Sequence, residues 1–241
     1  MANFPFQRLQ ADLAALIERA PAGSRLVSEP ELAKQLGVSR ATLREAMRTF
    51  ETQGLIRRRQ GAGTFVVGKV PVMDSGLEVL ESLDTMARRM NLEISVSDLN
   101  IEQMDATSEQ ASGLGIAVGT CVTRVRRVIR ADTRPVAYLI DTLPEDILAV
   151  GSLPDSFHGS VLDFMLARGD DLRISRAAIT ATNATADVAK ALEIQRGDVL
   201  LQFVSQLYTA QGRVVDYTLS YFIPGYFNFH VVRRIGNSSQ L

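Results

Sequence analysis

The chain has little of what a metal centre or a disulfide framework needs. Its 241 residues include one cysteine, Cys121, and two histidines, His158 and His230. A single thiol excludes an internal disulfide and a cysteine zinc site, and two histidines argue against a structural metal cluster. Apolar runs are short as well. No stretch approaches the roughly eighteen apolar residues of a membrane span, and the start, MANFPFQRLQ, has no basic segment followed by an apolar one. The expected location is therefore cytoplasmic, with no membrane partner. There is also no internal repeat, no low-complexity tract, no nucleophile elbow, no metal-ligand spacing and no phosphate-cradling glycine loop that opens a helix. These absences weigh against an enzyme, and neither a metal nor a cofactor is expected.

What is present is the composition of a protein with a real core, 46% hydrophobic and 22% charged. The length suits two modest domains. A net charge of −1 conceals an asymmetry: residues 1–69 carry 11 Lys/Arg against 6 Asp/Glu, and residues 70–241 carry 15 against 21. A head of +5 on a body of −6 is the pattern of a nucleic-acid-binding module attached to something else.

The head is built around residues 28–67, SEPELAKQLGVSRATLREAMRTFETQGLIRRRQGAGTFVV. Ser28 with Glu31 has the spacing of a capping box, and Pro30 falls in the first turn, where a missing N–H costs little. Leu32 and Leu36 give this short helix one apolar face. Gly37 ends it, and Ser39 is placed to cap the next helix. In that second helix Leu43, Ala46, Met47 and Phe50 recur at i, i+3, i+4 and i+7, a buried stripe. Arg40, Arg44 and Arg48 share the opposite face, and Arg40 and Thr42 occupy the first turn, the part of a recognition helix that meets base edges. Arginine donates two bonds to guanine O6 and N7, which makes it the usual reader of the major groove. Gly54 closes the helix. Two β-like runs, 55–60 and 64–67, then flank Gly61-Ala62-Gly63 as a hairpin, or wing. Of its three consecutive arginines at least one must meet solvent or phosphate, and Arg58 in the middle is the candidate. Arginines spaced by four are also what a merely solvated helix face shows. Here they come with a turn, two helix ends and a glycine wing within forty residues, which favours DNA.

These residues resemble the winged helix-turn-helix of GntR-family bacterial transcription regulators, whose pattern runs close to LPSE-x-x-LA-x-x-x-GVSR-x-TVR-x-A…GL-x-x-x-x-G-x-GTFV. The resemblance implies base and phosphate contacts from the matching positions Ser39, Arg40, Thr42, Arg44, Gln60 and Gly61. One position departs from it: the family very often has arginine where this chain has Pro30, and the resemblance does not carry that DNA contact over, though the motif stands.

Around this motif, residues 6–20 read as an amphipathic supporting helix with Leu9, Leu13, Leu16 and Ile17 on one side. Residues 68–76, GKVPVMDSG, read as a linker, and 77–90 as another amphipathic helix. Beyond it strands and short helices alternate. Strands are expected over 94–104, 120–131, 135–143, 172–182, 199–209 and 214–223, and helices over 107–114, 161–168 and 184–192. Strands that pair with near neighbours through short turns predict an antiparallel sheet in an α+β domain rather than a parallel nucleotide-binding fold. The domain expectation is a winged head over 1–67, a linker over 68–76 and a second domain over 77–241.

This second half resembles the UTRA domain of the HutC subfamily of GntR regulators. The resemblance rests on Arg127…Asp132-x-x-Pro135-Val136-Ala137, Leu143-Pro144, Ser160-x-Leu162 and Gly212-x-Val214-Val215-Asp216. It implies a chorismate-lyase-like fold, a cleft for a small metabolite and a homodimer. Arg127 then becomes the first candidate for holding a ligand carboxylate or phosphate, with an ordinary ion pair as the alternative. Phosphosugar sensors of the subfamily tend to carry a second arginine two residues on, where this chain has Ile129. Asp216 matches a position that accepts ligand hydroxyls or amines, or is a strand acid facing water. Ser160 matches a ligand-binding serine, though alone such a serine is most often a helix N-cap. Tyr138, Asp141 and Tyr221 are candidates for the same pocket. For the tyrosines the competing reading is core packing. Asp141 in an apolar strand needs a partner, either a ligand amine or a strand arginine.

The expectation drawn from all this is a metabolite-responsive, sequence-specific DNA-binding regulator. It would be a repressor that binds a palindromic operator as a homodimer. Two alternatives stay open: a sequence-tolerant architectural DNA protein, which the acidic second half disfavours, and an enzyme on the lyase-like fold, since fold alone does not decide function.

Overall fold

A computed structural model describes residues 4–233 apart from 22, 60–61, 68–71, 155–156 and 158. Two compact units divide the chain, one of residues 1–72 with 224–226, the other of residues 73–223 with 227–241.

The first unit holds three helices and a hairpin: α1 (Phe4–Arg19), α2 (Glu29–Gln35), α3 (Arg40–Thr52), β1 (Ile56–Arg59) and β2 (Gly63–Val66). The apolar spacings converge on one core, in which Leu9, Leu13, Leu32, Leu43, Ala46, Met47 and Ile56 are all buried. Gly37 and Gly54 end α2 and α3 at φ of 67° and 69°, the left-handed backbone that a Cβ disfavours. A Cβ on Gly54 would also run into the ring of Tyr226, which belongs to the same unit. The wing is antiparallel, with Arg58 opposite Thr64. Residues 23–26 lie along its β2 side through Leu26 N–H to the Thr64 carbonyl and Val66 N–H to the Ser24 carbonyl. Ser28 does sit at the N-cap of α2, but its side chain makes no capping bond, so the capping box expected with Glu31 does not form. Pro30 is in the first turn as expected.

The second unit is an α+β domain on a six-stranded sheet, entirely antiparallel, in the order β4-β5-β6-β9-β8-β7. Its strands are β4 (Ile94–Asp105), β5 (Cys121–Ala131), β6 (Arg134–Pro144), β7 (Leu172–Asn183), β8 (Val199–Thr209) and β9 (Val214–Phe222). Tight turns join β5 to β6 and β8 to β9, with Asp132 at φ 54° and Gly212 at φ 77°. Helix α6 (Val161–Arg168) covers one face by burying Val161 and Met165 against Val125, Leu143 and Leu207. Helix α5 (Ser108–Leu114) covers the other, with Ala111 and Leu114 against Val122 and Tyr217. A third short helix, α7 (Ala186–Ala191), packs on β6.

Two expectations fail here. Residues 73–76, placed in the linker, form a strand, β3 (Met73–Gly76), that runs parallel to β10 (Phe227–His230). Phe227 and Phe229 of β10 then pack edge-on or tilted against Phe203 and Phe222 of the sheet. The helix expected over 77–90 is only α4 (Leu83–Arg89). Ser82 caps it by accepting from Thr85 N–H, so the helix starts there, and Val79 and Leu80 before it are 69% and 51% exposed. The apolar periodicity was real, but a capping serine in mid-run cuts it.

Candidate functional site

The candidate DNA-binding residues are gathered by α3 and the wing. Burying Leu43, Ala46, Met47 and Phe50 turns the opposite side of α3 outward. Arg40, Thr42 and Arg44 are accordingly exposed, whereas Arg48, one turn further on, is half-buried. Ser39 caps the helix, its Oγ accepting from Thr42 N–H at 3.1 Å and lying 2.8 Å from Thr42 Oγ1. The first turn is thereby fixed, and Arg40 and Thr42 project from a rigid end.

A link with no local signature in the sequence joins this face to α2. Arg44 Nε donates to Glu29 Oε2 at 2.6 Å, and Arg58 of the wing has its Nε 3.7 Å from Glu29 Oε1 and 3.5 Å from Glu51 Oε2. Arg58 Nη2 also reaches the Arg44 carbonyl at 3.4 Å. Glu29, in the first turn of α2, thus holds the helix arginine and the wing arginine together. Buried Arg58 Nε has no hydrogen bond of its own among the described residues. Gln60 and Gly61, also expected to touch DNA, lie outside the described residues.

The effector candidates divide between the two faces of the sheet. Register and alternation put Arg127, Asp141 and Asp216 on the face under α6, because Asp141 pairs with Val125 and Thr218, and Asp216 pairs with Leu207. Tyr138 and Tyr221 pair with each other and stack with centroids 6.4 Å apart on the opposite face, where Tyr221 accepts from Gln202. They therefore do not share a pocket with Asp141, and that expectation is corrected. The sequence held the signal: Tyr138 and Asp141 are three apart on one strand, and odd spacings face opposite ways.

Under α6 the cluster is tight. Arg127 and Asp141 are buried and form an ion pair, Arg127 Nη1 to Asp141 Oδ2, which supplies the partner Asp141 required. The other strand arginines are committed elsewhere, Arg124 and Arg126 to Glu102 and Arg130 to Glu193. Thr218, not anticipated, sits between two acids: its hydroxyl lies 3.2 Å from Asp141 Oδ1 and 3.1 Å from Asp216 Oδ2. One hydroxyl has one hydrogen, so only one of these contacts is a donated bond at a time. Asp216 is 5% exposed and its Oδ1 is buried without a partner among the described residues. Burial and the facing Asp141 carboxylate together push the Asp216 carboxyl well above the ordinary range, against the pull of Thr218 and Arg127. The water-facing alternative for Asp216 does not hold.

Beside the cluster, between α4 and α6, lies a cavity of about 700 Å³ lined by Asp84, Arg88, Phe157, Ser160, Asp163 and Phe164, among others. Ser160 is first of all the N-cap of α6, accepting from Asp163 N–H, and it also forms part of this wall. Its neighbour Gly159 approaches Arg127 so closely that a Cβ there would fall 2.9 Å from Arg127 Cδ, and Arg127 also acts on Asp84 of the cavity wall. Asp84 is pushed up by desolvation and then by Asp163, more than Arg127 and Arg88 pull it down. Asp84, Asp163, Phe157 and Phe164 were not singled out from sequence. The cap spacings Ser82-x-Asp84 and Ser160-x-x-Asp163 were the available hint. Among the described residues no group of His, Cys, Asp and Glu is arranged to hold a metal ion, and no helix is long and apolar enough to cross a membrane.

Against known proteins, residues 6–66 match the model of bacterial regulatory proteins of the gntR family, and residues 89–228 match the UTRA domain. The chain is 29% identical over 214 residues to the HTH-type transcriptional repressor NagR of Bacillus subtilis, covering 87% of this chain and 86% of that one. It is 25% identical over 223 residues to the mannosyl-D-glycerate transport/metabolism system repressor MngR of Escherichia coli, covering 88% of each. Among solved structures, PhnF from Mycobacterium smegmatis has the same fold, with a TM-score of 0.63 at 22% identity over 95% of this chain and all of that one.

Proposed function

We propose that this chain, which belongs to the gntR family of bacterial regulatory proteins in its UTRA-bearing HutC subfamily, is a repressor that binds a palindromic operator as a homodimer and releases it when a small effector binds. That it is a DNA-binding transcription regulator and not an enzyme follows from the family; the sign of regulation, the dimer and the operator's symmetry are our reading. The observation that carries it is the outward face of α3, where Arg40, Thr42 and Arg44 stand exposed above a wholly buried stripe. A helix held this way presents its first turns to the major groove, with the wing arginine beside them. Ser39, Gln60 and Gly61 complete the proposed contact set. Two such heads would read half-sites about one helical turn apart.

The effector is proposed to occupy the cavity between α4 and α6 and to engage Ser160 and the adjoining cluster of Arg127, Asp141 and Asp216. Its binding would change the placement of the two heads and so their operator affinity. Such coupling is typically about 1–3 kcal/mol, and it is reciprocal: operator must change effector affinity by the same factor. The test is selection of genomic DNA fragments by the purified protein at physiological salt with excess competitor. Enrichment of one palindrome supports the reading. Even retention of all fragments would favour the architectural alternative.

A further inference from the structure

Resting on the effector site just proposed, we infer that its ligand is a small organic cation, an amine whose nitrogen donates to the buried carboxylates and whose apolar body lies against Phe157 and Phe164, and not a phosphorylated sugar. The argument is a count of donors and charges. In the cluster under α6 there are two carboxylates, with four oxygens between them. Arg127 serves Asp141 Oδ2, the single hydroxyl of Thr218 is shared between Asp141 Oδ1 and Asp216 Oδ2, and Asp216 Oδ1 has no partner among the described residues. The site is short of hydrogen-bond donors and has one more negative charge than positive. A buried carboxylate oxygen without a donor is costly. Without ligand that cost is met by the proton that burial and the facing Asp141 favour on Asp216, and a protonated amine would take the proton's place with both charge and donors.

The cavity repeats the pattern. Arg168 is committed to Asp170, with bonds of 2.9 and 2.5 Å, so it is not available to an anion. Asp84 is raised by desolvation and then by Asp163, against Arg127 and Arg88. Phe157 and Phe164 meet edge to face at 5.9 Å, and Arg168 lies 5.3 Å above the Phe164 ring, so that ring already takes a cation over one face. Carboxylates beside aromatic faces recognise ammonium groups. A phosphate would instead need free cationic donors. Arg127 is spent on Asp141, Arg88 of the cavity wall donates to the Asp84 carbonyl at 3.3 Å and lies 3.8 Å from Asp163, and two residues beyond Arg127 on the same face stands buried Ile129, which donates nothing.

The test is isothermal titration calorimetry on the full chain near neutral pH. The probes are a set of amines from methylamine through 2-phenylethylamine to spermidine. Controls are 2-phenylethanol and phenylacetate, isosteres of one amine without its charge or with the opposite one, and glucose 6-phosphate. At least one amine should bind about tenfold or more tightly than its neutral counterpart. Its binding should release protons, seen as heats that differ between buffers of different ionisation enthalpy, and both Asp216→Asn and Asp84→Asn should weaken it about tenfold. Binding by phenylacetate or glucose 6-phosphate with none by any amine would overturn the ligand class while leaving the site. Binding that neither substitution affects would overturn the site as well. If no amine binds, the inference fails, and the DNA-binding reading is judged separately by operator selection.

Discussion

Glu29 and Arg44 are fifteen residues apart in the chain and 2.6 Å apart in space, and through them the first turn of α2 holds the middle of the recognition helix. The same carboxylate lies within 3.7 Å of Arg58 in the wing. One acid therefore sets the spacing between two cations proposed to straddle a groove edge and a phosphate. In the proposed complex it would also compete with DNA for both.

Glu29→Gln should separate these two roles. With the competing charge gone, binding to random duplex should tighten, and log K against log salt should steepen by about one unit, as for one more neutralised phosphate. With the alignment gone, the preference for operator over random duplex should fall. Titrations of both duplexes at several salt concentrations test this, and an unchanged preference would show that Glu29 aligns nothing.

The two serines at helix starts should behave differently although both match a cap pattern. Ser39→Ala removes a bond to Thr42 N–H and should cost about 1 kcal/mol of stability. Ser28 caps nothing with its side chain, so Ser28→Ala should stay within about 0.5 kcal/mol. Urea midpoints with an unchanged slope give both values.

Gly54→Ala should destabilise the head by about 1–2 kcal/mol. The backbone there is left-handed at φ 69°, and a Cβ would meet Tyr226. Thermal melts of the full chain check this, and a variant as stable as the parent would mean that the α3 terminus differs from the one described.

Stability should also fall as pH rises, through Asp216. Its carboxyl is well above its ordinary 3.8 in the folded state, so the folded chain binds this proton more tightly than the unfolded one. A group of that kind contributes stability that is full below the unfolded value and is lost as pH rises through the folded one. Asp216→Asn, which keeps the shape and a donor toward Asp141, should remove that part of the slope and be the more stable form at the alkaline end. Urea midpoints of both proteins between about pH 4 and about pH 8 decide it. Parallel curves would mean that Asp216 holds no such proton in the folded chain.

What the sequence disclosed follows from the range of the physics involved. Strands, turns and the α3 stripe were legible because they depend on neighbours two to four residues away, as do Gly37, Gly54 and Gly212 at positive φ. The ends of α4 were not, since a serine at position 82 can continue a helix or cap one, and only tertiary contact decides; Ser82 Oγ also donates to Asp163 Oδ2 at 2.6 Å. Asp141 could be seen to need a partner, but choosing Arg127 among four strand arginines required the β5–β6 register. Tyr138 and Tyr221 lie away from Asp141 because residues three apart along β6 point to opposite faces. Glu29 escaped notice because nothing local links it to a residue fifteen positions away.

The central claim is that the outward face of α3 reads DNA sequence, and fluorescence anisotropy with Arg44→Ala tests it most directly. Wild type and variant would be titrated at fixed salt with the selected palindrome and with a scrambled duplex. The account predicts a loss of about 1–3 kcal/mol on the palindrome, little change on the scrambled duplex, and relaxed preference at one base pair in each half-site. Equal affinity and equal selectivity in the variant would contradict it.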